Sequence, residues 1–464
     1  WTPEARNIYS KHGGLLNEKF WDKEGITWND ITSGLPSFRI KAKDSIFSSV
    51  SPTVLNSFCK CDYIVLGFCN SKVSVYLLNI TNPTMHTLVG NVLDLPDLTS
   101  RAPKVCAKIV KDNIHLAKSD WDSFETSWDF ARHPLLKHYT YDDRPLRLPA
   151  IFRVWATETQ EAFAQLKANE EELNRIFIDI YGLQDELTPE VDDKDITIRK
   201  ADLQRDIRSF ISYAVGCMFG RYSLDVDGLV YAGGDFTNHY PLTTNHFDSL
   251  TTNHYHVDAD NVIPITDTEY FSDDIVTRFV EFIKVVYGQE TLEENLDFTA
   301  QALGNKGNTS REIIRNYFLK DFYADHVKIY QKRPIYWLFD SGKENGFKAL
   351  IYMHRYDQDT VGRVRADYLH KAQAFIENAI SHCDVVRESN APASEKAKAV
   401  KQKEKLVKQL AETRLYDQAI AHIAYQRIAI ELDDGVVVNY AKFQGVEVAN
   451  EGKKAVKIDL LAKV

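Results

Sequence analysis

The sequence predicts an α+β fold in which a mixed α/β first domain precedes a largely helical region. Three observations support this prediction. The first 149 residues are rich in aromatic, turn and proline residues, whereas apolar residues recur at helical spacing from about Thr157 onward. The last third carries two long helical stripes separated by a short turn. At about 150 residues per domain, a chain of 464 residues predicts three domains, which we place at 1–155, 156–340 and 341–464.

The composition is that of a folded globular protein, with 44% hydrophobic and 26% charged residues. No apolar run approaches the roughly 18–20 residues that a membrane helix needs. No signal-peptide pattern follows the first residue, Trp1, which is not a methionine. We therefore interpret the chain as a fragment of a longer cytoplasmic protein. Its scattered cysteines fit the reduced thiols of that compartment.

The clearest local unit of the first domain begins with the apolar run 63–69, which we interpret as a buried strand or the start of a helix. Asn70 and Ser71 then offer an N-cap for a helix that Asn82-Pro83 ends. The apolar positions with helical spacing in between are Val73, Tyr76, Leu77 and Ile80. The predicted order is therefore strand, cap, helix and turn.

The middle region predicts helices separated by a long acidic insertion. Helical periodicity covers about 157–182 and continues from about Lys200, near 274–287 and near 311–323. Between 223 and 297, Arg278 and Lys284 are the only basic residues, and Thr-Asn-His recurs three times, ending at His239, His246 and His254. A polar stretch of this length is typical of a surface loop or lid, which we place at 223–270.

Two groups of residues raise the question of a metal site. Cys59, Cys61 and Cys69 lack the paired C-x2–4-C spacing that is typical of zinc. The stretch from His254 to Asp260 contains two histidines and two aspartates, but a solvated loop is its simpler interpretation. The sequence therefore predicts no metal ligands.

The end of the chain predicts a strand and a helical hairpin. The aromatic run 333–339 is typical of core, and 349–352 continues as a strand. Two apolar stripes then flank the turn at 389–393, which indicates two long antiparallel helices. The lysine-rich segment 396–408 on the second helix is either a solvated surface or a binding patch, and the sequence does not decide between them.

Motifs for several kinds of catalysis are absent from the sequence. Adenine-N6 methyltransferases use an (N/D)-P-P-(Y/F/W) tetrapeptide, and this sequence contains no Pro-Pro pair. It contains no G-x-G loop for S-adenosylmethionine or a dinucleotide, no G-x-S-x-G elbow and no H-E-x-x-H zinc motif. We therefore assign no catalytic and no cofactor-binding residue, and we expect this chain alone neither to bind S-adenosylmethionine tightly nor to transfer methyl groups.

Several segments carry a family resemblance. The motif IVLGFCNSKV at 64–73, with Asn82-Pro83-Thr84, Val89-Gly90 and Leu95-Pro96, resembles the target recognition domains of type I specificity subunits and type IIG enzymes. FWDKEGITW at 20–28 resembles the entry to the same domain. Further motifs follow in order: WDSFETSWDF at 121–130, EELNRIFIDIYGLQDEL at 171–187, VGCMFGRYSL at 215–224, KRPIYWLFDSGK at 332–343 and NYAKFQGV at 439–446. Together they resemble the C-terminal part of BREX phage-defence adenine-specific DNA methyltransferases of the PglX type.

The resemblance implies a role in choosing a DNA site. The expected partners are double-stranded DNA, the methyltransferase domain of the same protein and other BREX proteins, with no membrane partner. S-adenosylmethionine is implied as cofactor for the full-length protein, and no cofactor for this region. Two alternatives remain: the specificity region of a type IIG restriction–modification enzyme, and a scaffold that binds other defence proteins.

The candidate DNA-binding residues are basic side chains near the resembling motifs, although the net charge of −10 is unusual for a DNA-binding protein. If 39–43 is a strand, the side chains of Arg39, Lys41 and Lys43 project from one face. The remaining candidates are Lys72, Arg101, Lys104, Lys108, Arg333, Arg355, Arg363 and Arg365. The acidic stretch 231–260 is expected to lie away from the DNA, because phosphates would repel it.

Overall fold

The computed structural model describes residues 2–12, 20–21, 23–45, 47–48, 50–55, 62–82, 84–136, 145–236, 255–304, 306–450 and 453–464. It is 55% helical with small antiparallel sheets, which confirms the predicted α+β class. The chain forms two compact units. The first comprises 1–121 and 157–200, and the second 122–156 and 201–464. The boundaries of these two compact units differ from the domain boundaries proposed at 155/156 and 340/341. The proposed boundaries remain a prediction about functional domains.

A three-stranded antiparallel sheet opens the first unit, after the helix Pro3–Lys11. Gly25–Trp28 lies in the centre, between Phe38–Lys41 and Thr53–Val54. Every residue of the central strand is buried. The indole of Trp28 donates a hydrogen bond of 2.7 Å to the carbonyl oxygen of Thr87, so this large apolar side chain keeps its polar atom satisfied in the core.

The run predicted as a possible strand at 63–69 is the helix Tyr63–Cys69. The carboxylate of Asp62 accepts hydrogen bonds from the backbone N–H groups of Ile64 and Val65, and this cap selects the helix over a strand. Ser71 caps the next helix, Lys72–Thr81, as predicted. A short apolar run has no periodicity of its own, so the capping residue decides its structure. Pro83 lies outside the described residues.

Among the described residues, no single helix is long and apolar enough to cross a membrane. The helices Tyr63–Cys69 and Lys72–Thr81 meet the length and composition requirement only jointly, bent by 60°. Their side chains Leu66, Phe68 and Val73 are buried in the core of the first unit.

Three further helices contribute to the first unit. Val89–Leu93 and Val105–Asp122 follow the target-domain motif. The long helix Leu148–Tyr181 confirms the helix predicted near 157–182 and begins earlier than predicted. It places Leu173, Phe177 and Ile178 against the core around Phe68. Gly182 follows it with φ of 67°, a left-handed conformation that suits glycine after a helix.

The second unit contains a helical layer with a large aromatic core. Its helices are Leu203–Met218, Ile275–Tyr287, Leu292–Leu303, Ser310–Lys320 and Phe322–Ile329. Twelve residues of the first are buried. The helices predicted from Lys200, at 274–287 and at 311–323 are confirmed, and the last of them breaks at Asp321.

A three-stranded antiparallel sheet lies in the second unit, in the order Ile263–Pro264, Lys348–Tyr352 and Tyr336–Asp340. Every residue of its central strand is buried. The strand predicted at 349–352 is therefore confirmed. The core predicted at 333–339 is confirmed for the strand Tyr336–Asp340, whose first four residues are buried, but not for Arg333, which is exposed.

The acidic segment 223–297 is not one surface loop, which corrects the prediction of a lid at 223–270. Tyr231, Asp258 and the strand Ile263–Pro264 are buried. Carboxylates in this part of the chain hold structure: Asp258 pairs with Arg278 at 2.6 Å, and the fully buried Asp274 caps the helix Ile275–Tyr287. Asp258 and Asp274 can be buried because Arg278 and Arg315 pair with them.

The histidine repeat falls mostly on residues that are not described, since His239, His246 and His254 lie at 237–254. Cys59 and Cys61 lie outside the described residues too. Within the described ranges, no group of three or more His, Cys, Asp or Glu side chains is placed to hold a metal ion.

The predicted helical hairpin is confirmed. The helix Thr360–Arg363 continues through a π-helical stretch, Val364–Leu369, into His370–Glu388, which packs against Ala393–Gln426. The chain then forms the short helix Val436–Ala441 and a two-stranded ribbon of Val446–Asn450 and Lys453–Ile458.

Candidate nucleic-acid interface

The predicted basic strand is shorter than expected, and one of its three cations is buried. The strand Phe38–Lys41 ends before Lys43, so Lys43 is exposed beyond it. Arg39 is exposed and donates a hydrogen bond to the side-chain oxygen of Asn29. Lys41 is only 4% exposed. The strand therefore does not extend over 39–43, and the three cations do not form one exposed face. Their contact with DNA remains a prediction.

The Lys41 ammonium serves the fold of the first unit. It donates to the carbonyl oxygens of Lys23 at 3.0 Å and Ala42 at 2.9 Å. It also lies 4.6 Å from the centre of the Phe47 ring, within the range of a cation–π interaction. An alternating pattern of cations could not reveal this, because the partners Lys23 and Phe47 lie outside the strand.

The best-placed basic groups lie on and just before the helix Val105–Asp122. The predicted residues Arg101, Lys104 and Lys108 are all exposed. Sequence reasoning missed Lys111 and His115, which are exposed as well and continue the same side of the helix. From Lys104 onward the positions recur at i, i+4, i+7 and i+11, a signal that the sequence already contained. We call Arg101, Lys104, Lys108, Lys111 and His115 the basic face.

The opposite side of this helix is anchored in the core. Cys106 and Val110 are buried. Val110 approaches the helix Tyr63–Cys69 so closely that a Cβ added to Gly67 would lie 2.7 Å from its Cγ2 atom. The helix therefore presents its basic face on a fixed support.

The cations of the basic face are not consumed by internal ion pairs. In the part of the chain that the structure describes, no carboxylate lies within 4.0 Å of the charged atoms of Arg101, Lys104, Lys108 or Lys111. The Lys111 ammonium lies 4.7 Å from the centre of the Tyr63 ring. Asp112 is exposed beside the face and is its one flanking carboxylate along the helix segment 104–115.

Lys72 occupies the first position of the helix Lys72–Thr81 and is half-buried. Its backbone N–H donates to the side-chain oxygen of Asn174 at 2.9 Å. This contact ties the start of the helix to the long helix Leu148–Tyr181.

Three of the four predicted arginines in the second unit bind other parts of the protein. The Arg355 guanidinium donates to the carbonyl oxygens of Phe219 and Ala259, at 3.3 and 3.1 Å, and lies 3.8 Å from the Phe236 ring centre. Burial lowers the pKa of Arg355 to about 10. The carboxylate of Asp357 pairs with Arg363 at 2.8 Å.

Arg365 makes a two-pronged contact with Asp417, at 2.8 and 3.2 Å. Such a fork occupies the groups that would otherwise grip a phosphate. Arg333, the fourth candidate, is exposed. The predicted DNA contacts of all four remain predictions, but the structure gives Arg355, Arg363 and Arg365 an evident structural purpose.

The lysine-rich part of the hairpin forms a second row of cations. Lys398, Lys401, Lys405 and Lys408 are exposed at successive helical turns of Ala393–Gln426, and we call them the hairpin face. This row is interleaved with acid: Lys405 pairs with Asp267, and Glu404 lies one turn from both Lys401 and Lys408.

No family model matches this sequence. Two curated proteins are similar to nearly the whole chain. An adenine-specific methyltransferase PglX of Lacticaseibacillus casei (strain Zhang) is 44% identical over 449 residues, which cover 94% of this chain and 36% of that protein. An adenine-specific methyltransferase BrxX of Escherichia coli O9:H4 (strain HS) is 33% identical over 462 residues, covering 92% of this chain and 36% of that protein. The chain thus spans about a third of the length of these relatives.

Proposed function

We propose that this chain, which is homologous to the C-terminal part of BREX adenine-specific methyltransferases, supplies the DNA sequence specificity of a site-specific adenine-N6 methyltransferase in phage defence. The observation that carries the proposal is the 44% identity to such a methyltransferase along 94% of the chain. The exposed basic face of the first unit supports it, because duplex DNA is the polyanion that such an enzyme must hold.

This division of labour has a physical basis. Methylation requires that the adenine be flipped out of the stack, at a cost of a few kcal/mol. A separate region that reads base edges and grips phosphates can select the site and position the duplex for that step. In the proposed enzyme, S-adenosylmethionine and the (N/D)-P-P-(Y/F/W) motif belong to another part of the protein, and the DNA substrate places the enzyme in the cytoplasm with other BREX proteins.

A region exchange tests the proposal. In the full-length Lacticaseibacillus casei relative, the matching region is replaced by this chain, and modified adenines are mapped in host DNA. The methylated sequence should change from that of the relative to a new one. An active hybrid that still methylates the original sequence would show that specificity lies elsewhere. The Escherichia coli relative serves as a second recipient, in case the first shares its target site with this chain.

A scaffold function is the second candidate, and one observation favours it. Between the two hairpin helices lies a groove of about 480 Å³, lined among others by Cys383, Val400 and Val407. Val400 and Val407 are 44% and 47% exposed. A scaffold predicts that Val407→Ser weakens capture of another BREX protein by the full-length enzyme while the methylated sequence and the DNA affinity stay unchanged.

A further inference from the structure

We propose that the basic face of the helix Val105–Asp122 is a clamp for the phosphate backbone of duplex DNA, which holds the duplex without reading its sequence. This inference rests on the proposed function and adds the surface, the ligand chemistry and the mode of contact.

The length of the basic face suits the spacing of phosphates along duplex DNA. Lys104 and His115 are eleven residues apart, which is about 16 Å along a helix that rises about 1.5 Å per residue. One strand of B-DNA places a phosphate about every 3.4 Å along the duplex axis. The segment from Lys104 to His115 therefore extends alongside about five phosphates. It presents four basic side chains to them, and Arg101 lies just before it.

The lysines of the basic face have few acidic neighbours that would compete with a phosphate. Neither Lys104 nor Lys111 has an acidic residue three or four positions away along the chain. On the hairpin face every lysine has such a neighbour or an ion pair: Glu395 for Lys398, Glu404 for Lys401 and Lys408, and Asp267 for Lys405. A phosphate approaching the hairpin face must therefore compete with carboxylates at every lysine. On the basic face, Asp97 lies four positions from Arg101 and Asp112 lies four positions from Lys108. Lys104 and Lys111 have no such competitor along the chain.

The residue types of the basic face favour contacts with phosphates over contacts with bases. Asparagine and glutamine read adenine through two hydrogen bonds, and arginine reads guanine. Lysine dominates the basic face, and lysine acts on phosphates as a point charge. Asn113, the one amide residue in the segment 104–115, is half-buried, and its side-chain oxygen accepts a hydrogen bond of 2.7 Å from Asn169. Contact with phosphates, independent of sequence, is what this composition favours.

The helix that carries the basic face is held rigidly by its packing. Because Cys106 and Val110 are buried and the helix packs closely on Gly67, the cations project from a fixed backbone. Less conformational entropy is lost on binding than with a mobile loop, so each contact contributes more to affinity.

Two matched triple variants of the full chain test the clamp. The first is Lys104→Gln, Lys108→Gln and Lys111→Gln. The control is Lys398→Gln, Lys401→Gln and Lys408→Gln, which removes the same charge from exposed lysines of the hairpin face. Fluorescence anisotropy measures the affinity for two unrelated duplexes at several salt concentrations, and thermal melting checks that each variant folds like the wild type.

The clamp predicts that the slope of log K against log salt falls by about 0.9 for each phosphate that a removed lysine had neutralised, or about 2.7 for the first variant. The fall should be equal on both duplexes, and the control should keep the wild-type slope. An unchanged slope in the folded first variant, or a weakening confined to one duplex, overturns the clamp. The proposed function survives either result as long as the wild type binds DNA. If the wild-type chain does not bind duplex DNA at any salt concentration, the proposed function fails, and the clamp fails with it.

Discussion

Two groups of cations, one in each unit of this chain, have opposite environments. In the first unit, Arg101, Lys104 and Lys108 project into solvent from a supported helix. In the second unit, Arg278 and Arg315 are 15% and 12% exposed and pair with the buried carboxylates of Asp258 and Asp274. The comparison shows that the environment of a cation determines its role. An exposed cation without an ion pair can bind an external anion, whereas a buried cation paired with a carboxylate stabilises the fold. Removing the exposed cations of the first group should therefore reduce DNA binding, and removing Arg278 or Arg315 should reduce the stability of the second unit.

The largest expected effect is in the second unit. Arg278→Met leaves the buried Asp258 without its partner and should lower the free energy of unfolding by about 3–5 kcal/mol at pH 8. Burial already raises the pKa of Asp258 to about 6 even beside Arg278. Below that pH the lone carboxyl takes up a proton, so the loss of stability should be smaller at pH 5.

Urea unfolding at pH 8 and pH 5 measures both values. Adding Asp258→Asn to the Arg278→Met variant should recover part of the stability, because no buried charge then remains. A stability like that of the wild type at pH 8 would show that the pair does not hold the fold. The slope of DNA affinity against salt should stay unchanged wherever the variant remains folded.

The second unit should also lose stability in acid. Burial lowers the pKa of both His133 and His326 to about 3. The Nε2 atom of His326 accepts hydrogen bonds of 3.1 Å from the backbone N–H groups of Ile335 and Tyr336, which requires a neutral ring. Because these folded pKa values lie below the unfolded value of about 6.5, their contribution is full above pH 6.5 and is lost as the pH falls toward 3.

We expect a loss of about 3 kcal/mol for each of the two histidines between pH 7 and pH 4, measured by hydrogen exchange in peptides of the second unit. His326→Gln should be less stable at pH 7 and lose less on acidification. A flat profile for the wild type would contradict a buried neutral histidine.

Within the first unit, substitutions of Lys41 and Arg39 should distinguish a buried cation that stabilises the fold from an exposed one that does not. Lys41→Gln removes an ammonium that donates to two carbonyl oxygens, and should cost about 1.5–2 kcal/mol. It should not change the salt slope of DNA binding, because that ammonium is buried. The exposed Arg39→Gln should leave stability within about 0.5 kcal/mol of the wild type. Urea unfolding and anisotropy on both variants check this, and a lower slope for folded Lys41→Gln would mean that Lys41 meets DNA.

The smallest expected effect concerns the stability of the first unit, which should fall as the pH rises. Burial, with a contribution from Asp195, raises the pKa of Glu170 to about 7. The folded state thus favours the protonated carboxyl, and stability falls as the pH rises from about 4.5 through 7. Glu170→Gln should stabilise the first unit by about 1 kcal/mol at pH 8 and leave it unchanged at pH 4. Hydrogen exchange in peptides of that unit measures this, with the exposed Glu161→Gln as control. Equal effects of the two substitutions at pH 8 would contradict the raised pKa.

The sequence by itself determined the features that depend on neighbouring residues. Helical periodicity predicted the hairpin of His370–Glu388 and Ala393–Gln426. The apolar pattern at 349–352 predicted the strand Lys348–Tyr352, and the aromatic run before it predicted core. The row from Lys104 to His115 was equally readable, because one helical face is a local property. The short run Tyr63–Cys69 was ambiguous, and the cap at Asp62 settled it.

Only the tertiary structure decided which charges are free. Arg365 pairs with Asp417, 52 positions away, and Arg355 binds a carbonyl 96 positions away. Lys41 is buried by contacts with Lys23. The acidic segment, expected to be a lid, contributes Asp258 to the core because Arg278 meets it there. Burial and ion pairing depend on residues brought together from distant positions, and the desolvation of a charge is fixed only when those residues surround it.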